Sequence, residues 1–169
     1  MSTRETGFAE YVFSRKEKDS GFRACMKQAS SDSLEWKSWA IIQRFVTDLS
    51  NESERKAFVL IGSSIAKSHA VRNGNVGLGK AFAIASRKAG DNDEFPPRFM
   101  RVLSCTSVSE LIDVLRPSLS FLDSKMIPLD YGEILSDILR FRYGEDAIIN
   151  VKAHWTADFL SKEDTDVSE

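Results

Sequence analysis

The sequence predicts an all-α protein built as two small helical bundles joined by a short proline-containing linker. Three observations carry this. Apolar residues recur at intervals of three and four along most of the 169-residue chain, as one face of a helix requires. No stretch of four to eight residues alternates apolar and polar between turn signals as a strand would. Midway, Gly90-Asp91-Asn92-Asp93-Glu94-Phe95-Pro96-Pro97 combines a helix stop, polar residues and two prolines, the strongest break in the pattern. It divides the chain into an N-terminal helical domain, residues 1–94, and a C-terminal helical bundle, residues 95–169, that ends in an acidic tail.

The elements follow in order. Short helices are expected over about 7–15 and 22–29. Residues 34–49 set Trp39, Ile42, Phe45, Val46 and Leu49 at helical spacing, which predicts one amphipathic helix. Ser53 is placed to cap a helix running to about residue 69, with Ala57, Phe58, Ile61 and Ile65 as its buried stripe. A turn at 72–75 leads to a helix over 78–89 that buries Leu78, Ala81, Phe82 and Ala85 and stops at Gly90. After the linker, residues 98–105 turn Phe99, Val102 and Leu103 inward. Ser107-Val108-Ser109-Glu110 is a capping box opening a helix with Val108, Leu111, Ile112, Leu115, Leu119 and Leu122 on one face. Pro117 is expected to kink or split it. Residues 130–143 bury Tyr131, Ile134, Leu135 and Ile138, and residues 147–160 bury Ile148, Val151, Trp155 and Phe159. The tail beyond is expected to fray.

Composition narrows the function classes. With 42% apolar and 28% charged residues the chain has the make-up of a globular protein rather than a disordered one. Its longest apolar runs, such as Ala57 to Ile61, fall far short of the roughly 20 residues that span a bilayer, so no membrane partner is expected. The first 18 residues lack a secretory h-region, and the two cysteines, Cys25 and Cys105, are far apart. Both fit a cytoplasmic protein without a disulfide framework or cysteine zinc site. The formal charge is −2, but it is unevenly spread: residues 53–90 hold seven basic residues and one acid, and residues 161–169 hold four acids and one lysine.

Several constellations invite a chemical reading. Gly74-Asn75-Val76-Gly77-Leu78-Gly79-Lys80-Ala81 has phosphate-loop spacing, but Ala81 stands where a magnesium-holding Ser or Thr is needed and no strand precedes it. His69 and His154, the only histidines, are read without ligand-spaced partners, so no metal, cofactor or catalytic residue is expected. Glu133 and Asp137 are four apart and could pair as acid and base, but they read more simply as a solvated face beside Arg140. The tryptophans are assigned to the core, leaving no stacking platform. The basic residues recur on several polar faces: Arg23 with Lys27, Lys80 with Arg87, Arg98 with Arg101, Arg140 and Arg142 around Phe141, and also Lys67, Arg72 and Arg116. These are the candidate nucleic-acid-binding residues, since a dispersed array of this kind meets backbone phosphates.

A set of short motifs accompanies them: Gly21-Phe22-Arg23, Gly77-Leu78-Gly79-Lys80-Ala81-Phe82, Arg98-Phe99 with Leu103, Leu115-Arg116, Leu129-Asp130-Tyr131 with Leu135 and Asp137, and Trp155 with Asp158-Phe159. In order and spacing they resemble the small subunit of the type I-E CRISPR surveillance complex Cascade, the CasB family. Lys80 stands where that family has an arginine, and Phe141 where a tryptophan is common. The resemblance implies two helical domains and two copies packed head to tail along the crRNA-bearing backbone. It also implies contacts with other Cascade subunits, crRNA, and the target and non-target DNA strands, without a cofactor and without catalysis. From the residues alone, a helical protein-interaction adaptor without nucleic-acid binding is the alternative.

Overall fold

The computed structural model describes residues 3–90 and 95–161. The all-α expectation holds: the described residues form nine α-helices and two 3-10 segments, and no strand. The N-terminal part comprises α1 (Arg4–Lys18), α2 (Ser20–Gln28), a 3-10 segment (Asp32–Ser38), α3 (Trp39–Ile42), α4 (Glu52–Lys67) and α5 (Leu78–Lys88). The remainder comprises α6 (Pro97–Ser104), α7 (Val108–Ser124), α8 (Tyr131–Arg140), a 3-10 turn (Phe141–Tyr143) and α9 (Glu145–Leu160). The expected linker falls partly on residues 91–94 and the expected frayed tail on residues 162–169, which lie outside the described residues.

Local chemistry starts most of the helices. Side chains of Thr3, Asp19, Asn51, Ser107 and Asp130 accept from a backbone N–H in the first turn of α1, α2, α4, α7 and α8, satisfying donors that the helix cannot. Asn51, not Ser53, caps α4. Ser107 caps α7, and Glu110 returns its carboxylate to the Thr106 N–H at 3.1 Å, one residue earlier than in a simple capping box. Gly144 takes φ +101° between the 3-10 turn and α9, a conformation that glycine adopts without strain.

Three local expectations are corrected. Residues 34–49 are not one helix: the segment is a 3-10 turn, four residues of α3 and then irregular chain. Its apolar spacing is real, but Ile42 alone of the stripe is fully buried, and Trp36 and Trp39 are 60% and 37% exposed. Only Trp155 is a core tryptophan. Pro117 does not split α7, which runs on to Ser124. The carbonyl it leaves without a donor belongs to Asp113, and both residues lie on the exposed side, where water can take its place.

A single buried apolar cluster runs from Phe8 and Val12 of α1 through α4, α5, α7 and α8 to Trp155 and Phe159 of α9. Helices from before and after the linker pack directly: α5 on α9, α1 on α8, and α4 on both α7 and α8. Phe99 of α6 joins them, stacked on Phe159 at 4.9 Å and tilted against Phe82 at 5.2 Å. Close backbone approach is set by glycine. A Cβ on Gly79 would collide with the Trp155 carbonyl, so α5 and α9 meet at van der Waals distance. A Cβ on Gly74 would collide with the Pro128 carbonyl, where the loop before α5 pairs with residues 128–130 through Gly74 N–H to Leu129 O (2.9 Å) and Asp130 N–H to Val76 O (2.8 Å). Packing thus accounts for glycines that in sequence have the spacing of a phosphate loop.

Replacing Gly79 with Ala should push α5 from α9 and cost about 1–3 kcal/mol, lowering Tm by roughly 2–12 °C. Gly7→Ala, at a helical position with open space around it, should leave Tm unchanged or raise it. Thermal melts of the two variants check this.

Candidate nucleic-acid interface

The last turn of α4 organises the basic residues. The carbonyls of Ala66, Ser68 and Ala70 at and beyond it have no helical donor and would need water or a cation, while Ile65 O already accepts from the Ser68 N–H at 3.1 Å and its hydroxyl at 2.8 Å. Two side chains supply the donors. Lys16 of α1, 3% exposed, donates from Nζ to Ile65 O (2.9 Å), Ala70 O (2.6 Å), Ser68 Oγ (3.2 Å) and Ser68 O (3.3 Å). Arg23 of α2 donates from Nε to Ala66 O at 3.0 Å. Burial holds the Lys16 ammonium below the usual lysine value, and Arg23 adds to the effect. Arg23 therefore serves the fold with one edge of its guanidinium, at a helix C-terminus where a cation is favourable.

Outside this cap stand Lys27 of α2, Lys67 of α4 and Arg116 of α7, all exposed. Lys67 donates to Ser30 Oγ at 2.7 Å. Partial burial depresses its ammonium, and Arg116 and Lys27 depress it further, so three cations from three helices share one field. The side chains of Lys27 and Arg116 have no hydrogen bond or ion pair among the described residues. Lys67 and Arg116 line a cavity of about 330 Å³ together with Ser63, Ser64, Ser68 and Ser120. Asp123, the acid on its rim, is engaged by His69, accepting from its N–H at 3.1 Å and pairing with Nδ1 at 2.8 Å. Cations and hydroxyls facing one hollow are the donor set that a phosphate oxygen needs.

The other candidates are spread more widely. Arg98 stacks on Phe121 at 4.5 Å, Lys125 lies over the same ring at 5.5 Å, and Lys88 donates to Lys125 O at 3.0 Å. Arg101 is exposed on α6 three residues along, and Arg72 is exposed in the loop before α5. Lys80 is half-buried and engaged, and Arg87 donates to Ser161 O at 3.1 Å. Arg140 lies 3.7 Å from Asp137. Arg142 stands at the far end of α4, 3.8 Å from Glu54, about 20 Å from Lys67 by helix length. There it borders a groove of about 910 Å³ with Lys152, Ser107 and Tyr143. The structure thus brings Lys27, Lys67 and Arg116 together with Arg23 behind them, sets Arg98 and Arg101 on α6, and keeps Arg140 and Arg142 apart. Sequence reasoning missed Lys88, Lys125 and Lys152. Lys88 and Lys125 stand at the ends of α5 and α7, where no periodic signal marks them, and Lys152 lies midway along α9, singled out only by the groove it borders.

One acidic residue departs from its expected role. Asp137 is not on a solvated face: it is 3% exposed and accepts from Trp155 Nε1 at 2.8 Å. Burial raises its carboxyl to about 6, Glu133 pushes it the same way, and the Trp155 hydrogen bond opposes both. Glu133 remains half-exposed beside His154, at 3.4 Å.

Comparison with known proteins adds to this geometry. The family model for the CRISPR-associated protein Cse2 matches residues 22–160. A solved chain described as "CRISPR RNA-guided surveillance complex" superposes with a TM-score of 0.74 over 92% of this chain and 90% of its own, at 16% identity, a likeness of fold. No curated protein matches the chain.

Two outcomes follow from the buried charges. Lys16→Met should strand several carbonyl oxygens and cost about 1–3 kcal/mol or more, whereas Lys18→Met, exposed two residues on, should stay within about 0.5 kcal/mol; urea melts separate them. A carboxyl raised in the folded state favours folding fully below its unfolded value near 4, and that advantage is lost as pH rises through about 6. On the order of 3 kcal/mol is involved. Asp137→Asn should flatten stability against pH between 4 and 6 while keeping the Trp155 hydrogen bond.

Proposed function

Because the chain belongs to the CRISPR-associated Cse2 family, we propose that it is the small, non-catalytic subunit of a type I-E RNA-guided surveillance complex, Cascade. There it would hold the backbones of crRNA and target DNA and steady the displaced strand of the R-loop. The observation that carries this reading is the shared field of Lys27, Lys67 and Arg116, from three helices, beside a serine-lined hollow that Lys67 and Arg116 border. Residues 1–94 supply the first two and residues 95–169 the third, so helices from both sides of the linker serve one surface. The task is electrostatic. Opening a duplex against a guide is a nearly balanced exchange, so a few backbone contacts tip it, and base pairing keeps the specificity. The net charge of −2 does not oppose this, because phosphates answer to the local field. The remaining partners in this reading are the other Cascade subunits and a second copy packed head to tail, in the cytoplasm. Exposed Trp36, Trp39 and Tyr143 offer anchors of the kind that protein contacts use.

Assemblies with the wild-type chain, with Lys27, Lys67 and Arg116 all changed to Ala, and without the chain should differ in how salt weakens DNA binding. Each lost contact should lower the log–log slope by roughly 0.7–0.9, up to about 2–3 for the triple variant. All target sequences should weaken nearly equally. An identical slope in all three assemblies would leave a protein-interaction adaptor as the function.

A further inference from the structure

Glu133 of α8 meets His154 and Asp158 of α9. His154 Nε2 lies 3.4 Å from Glu133 Oε1 and 3.3 Å from Asp158 Oδ2, and one ligand atom from each residue falls within 4.8 Å of the others. These separations are long for charge-assisted hydrogen bonds, which close to about 2.7–2.9 Å. They match the edge of a tetrahedron with metal–ligand bonds of 2.0–2.1 Å, about 3.3–3.4 Å. Magnesium, octahedral at similar bond lengths, would draw its ligands nearer, to about 3.0 Å.

The surroundings are shaped for such a group. His154 and Asp158 are i and i+4 on one helix, so both side chains project from one face. Glu133 packs its carboxylate over Gly77 at the start of α5, where a Cβ would stand 3.1 Å from both oxygens and crowd it. Glu133 and His154 border a cavity of about 440 Å³ together with Thr6, Ser136, Asp137 and Arg140. Asp137 is buried, spends Oδ2 on Trp155, and has Oδ1 paired with Arg140 at 3.7 Å.

We propose that Glu133, His154 and Asp158 form a binding site for a zinc-like divalent cation that clasps α8 to α9 beside the first turn of α5, with its fourth position open to water. Sequence reading left His154 without a ligand-spaced partner; Asp158 at i+4 is that partner, and Glu133 is supplied only by folding. The site stands apart from the nucleic-acid reading, and neither depends on the other.

Full-length chain stripped with a chelator and titrated with Zn²⁺ by calorimetry should bind one equivalent. Co²⁺ in its place should give the visible bands of a tetrahedral centre. His154→Ala and Asp158→Asn, both at partly exposed positions, should keep the helical circular dichroism and lose affinity by more than about 10-fold. Zn²⁺ should raise the Tm of wild type and not of the variants. Absence of saturable binding by wild type, or equal binding by wild type and His154→Ala, would overturn the site. Either result would leave the DNA-binding slopes unaffected.

Discussion

The fold depends on α1 being fastened to α4 at both ends by a buried charge. At the start of the pair, Glu54 is 1% exposed and accepts from Arg4 at 2.8 Å and from the Thr47 and Asp48 N–H groups. Burial alone would raise its carboxyl, but those donors together hold it below the usual carboxylate range. At the far end Lys16 closes the carbonyls of α4. Each ion is satisfied by several partners, the condition under which a buried charge is tolerated and its removal is costly. The two contacts set α1 parallel to α4 and fix their register. The apolar stripe between them, Phe8, Val12, Phe58, Ile61 and Ile65, then packs without alternatives.

The same fastening decides where the basic surface lies. With Lys16 and Arg23 occupying the polar end of α4, Lys67 is turned outward toward Lys27 and Arg116. α7 runs beside α4 in the same direction, with Ser107 near Ser53 at one end and Arg116 near Lys67 at the other. A chain with a negative total can in this way present a locally positive face. Several of its acids are taken up by caps and pairs: Asp19 caps α2, Asp130 caps α8, Glu54 meets Arg4, Glu35 meets Arg55 at 2.8 Å and Asp123 meets His69.

Helix content was legible because periodicity and caps agree along most of the chain, as at Ser107 and Gly90. It failed over 34–49, where the right spacing sits on a segment too tightly turned to form one helix. It failed too at Asp137, whose neighbours Ile134, Leu135 and Ile138 flank it on both sides; only the meeting with Trp155, eighteen residues on, shows it to be buried. For the site, the sequence marks which residues are basic but not what they touch. Arg23 reads like Lys27, yet one caps a helix and the other faces solvent. Nothing in the spacing of 27, 67 and 116 reveals that they meet, because their proximity is made by α2, α4 and α7 packing rather than by any local pattern.

The central claim, that this cluster meets a nucleic-acid backbone, is tested most directly by amine-acylation footprinting of the assembled complex with and without target DNA, read by mass spectrometry. The account predicts that Lys27 and Lys67 lose reactivity when DNA is bound while Lys56, eleven residues earlier than Lys67 on α4 and tied to Glu52, keeps the same rate. Equal reactivity of Lys27 and Lys67 in the two states would contradict it.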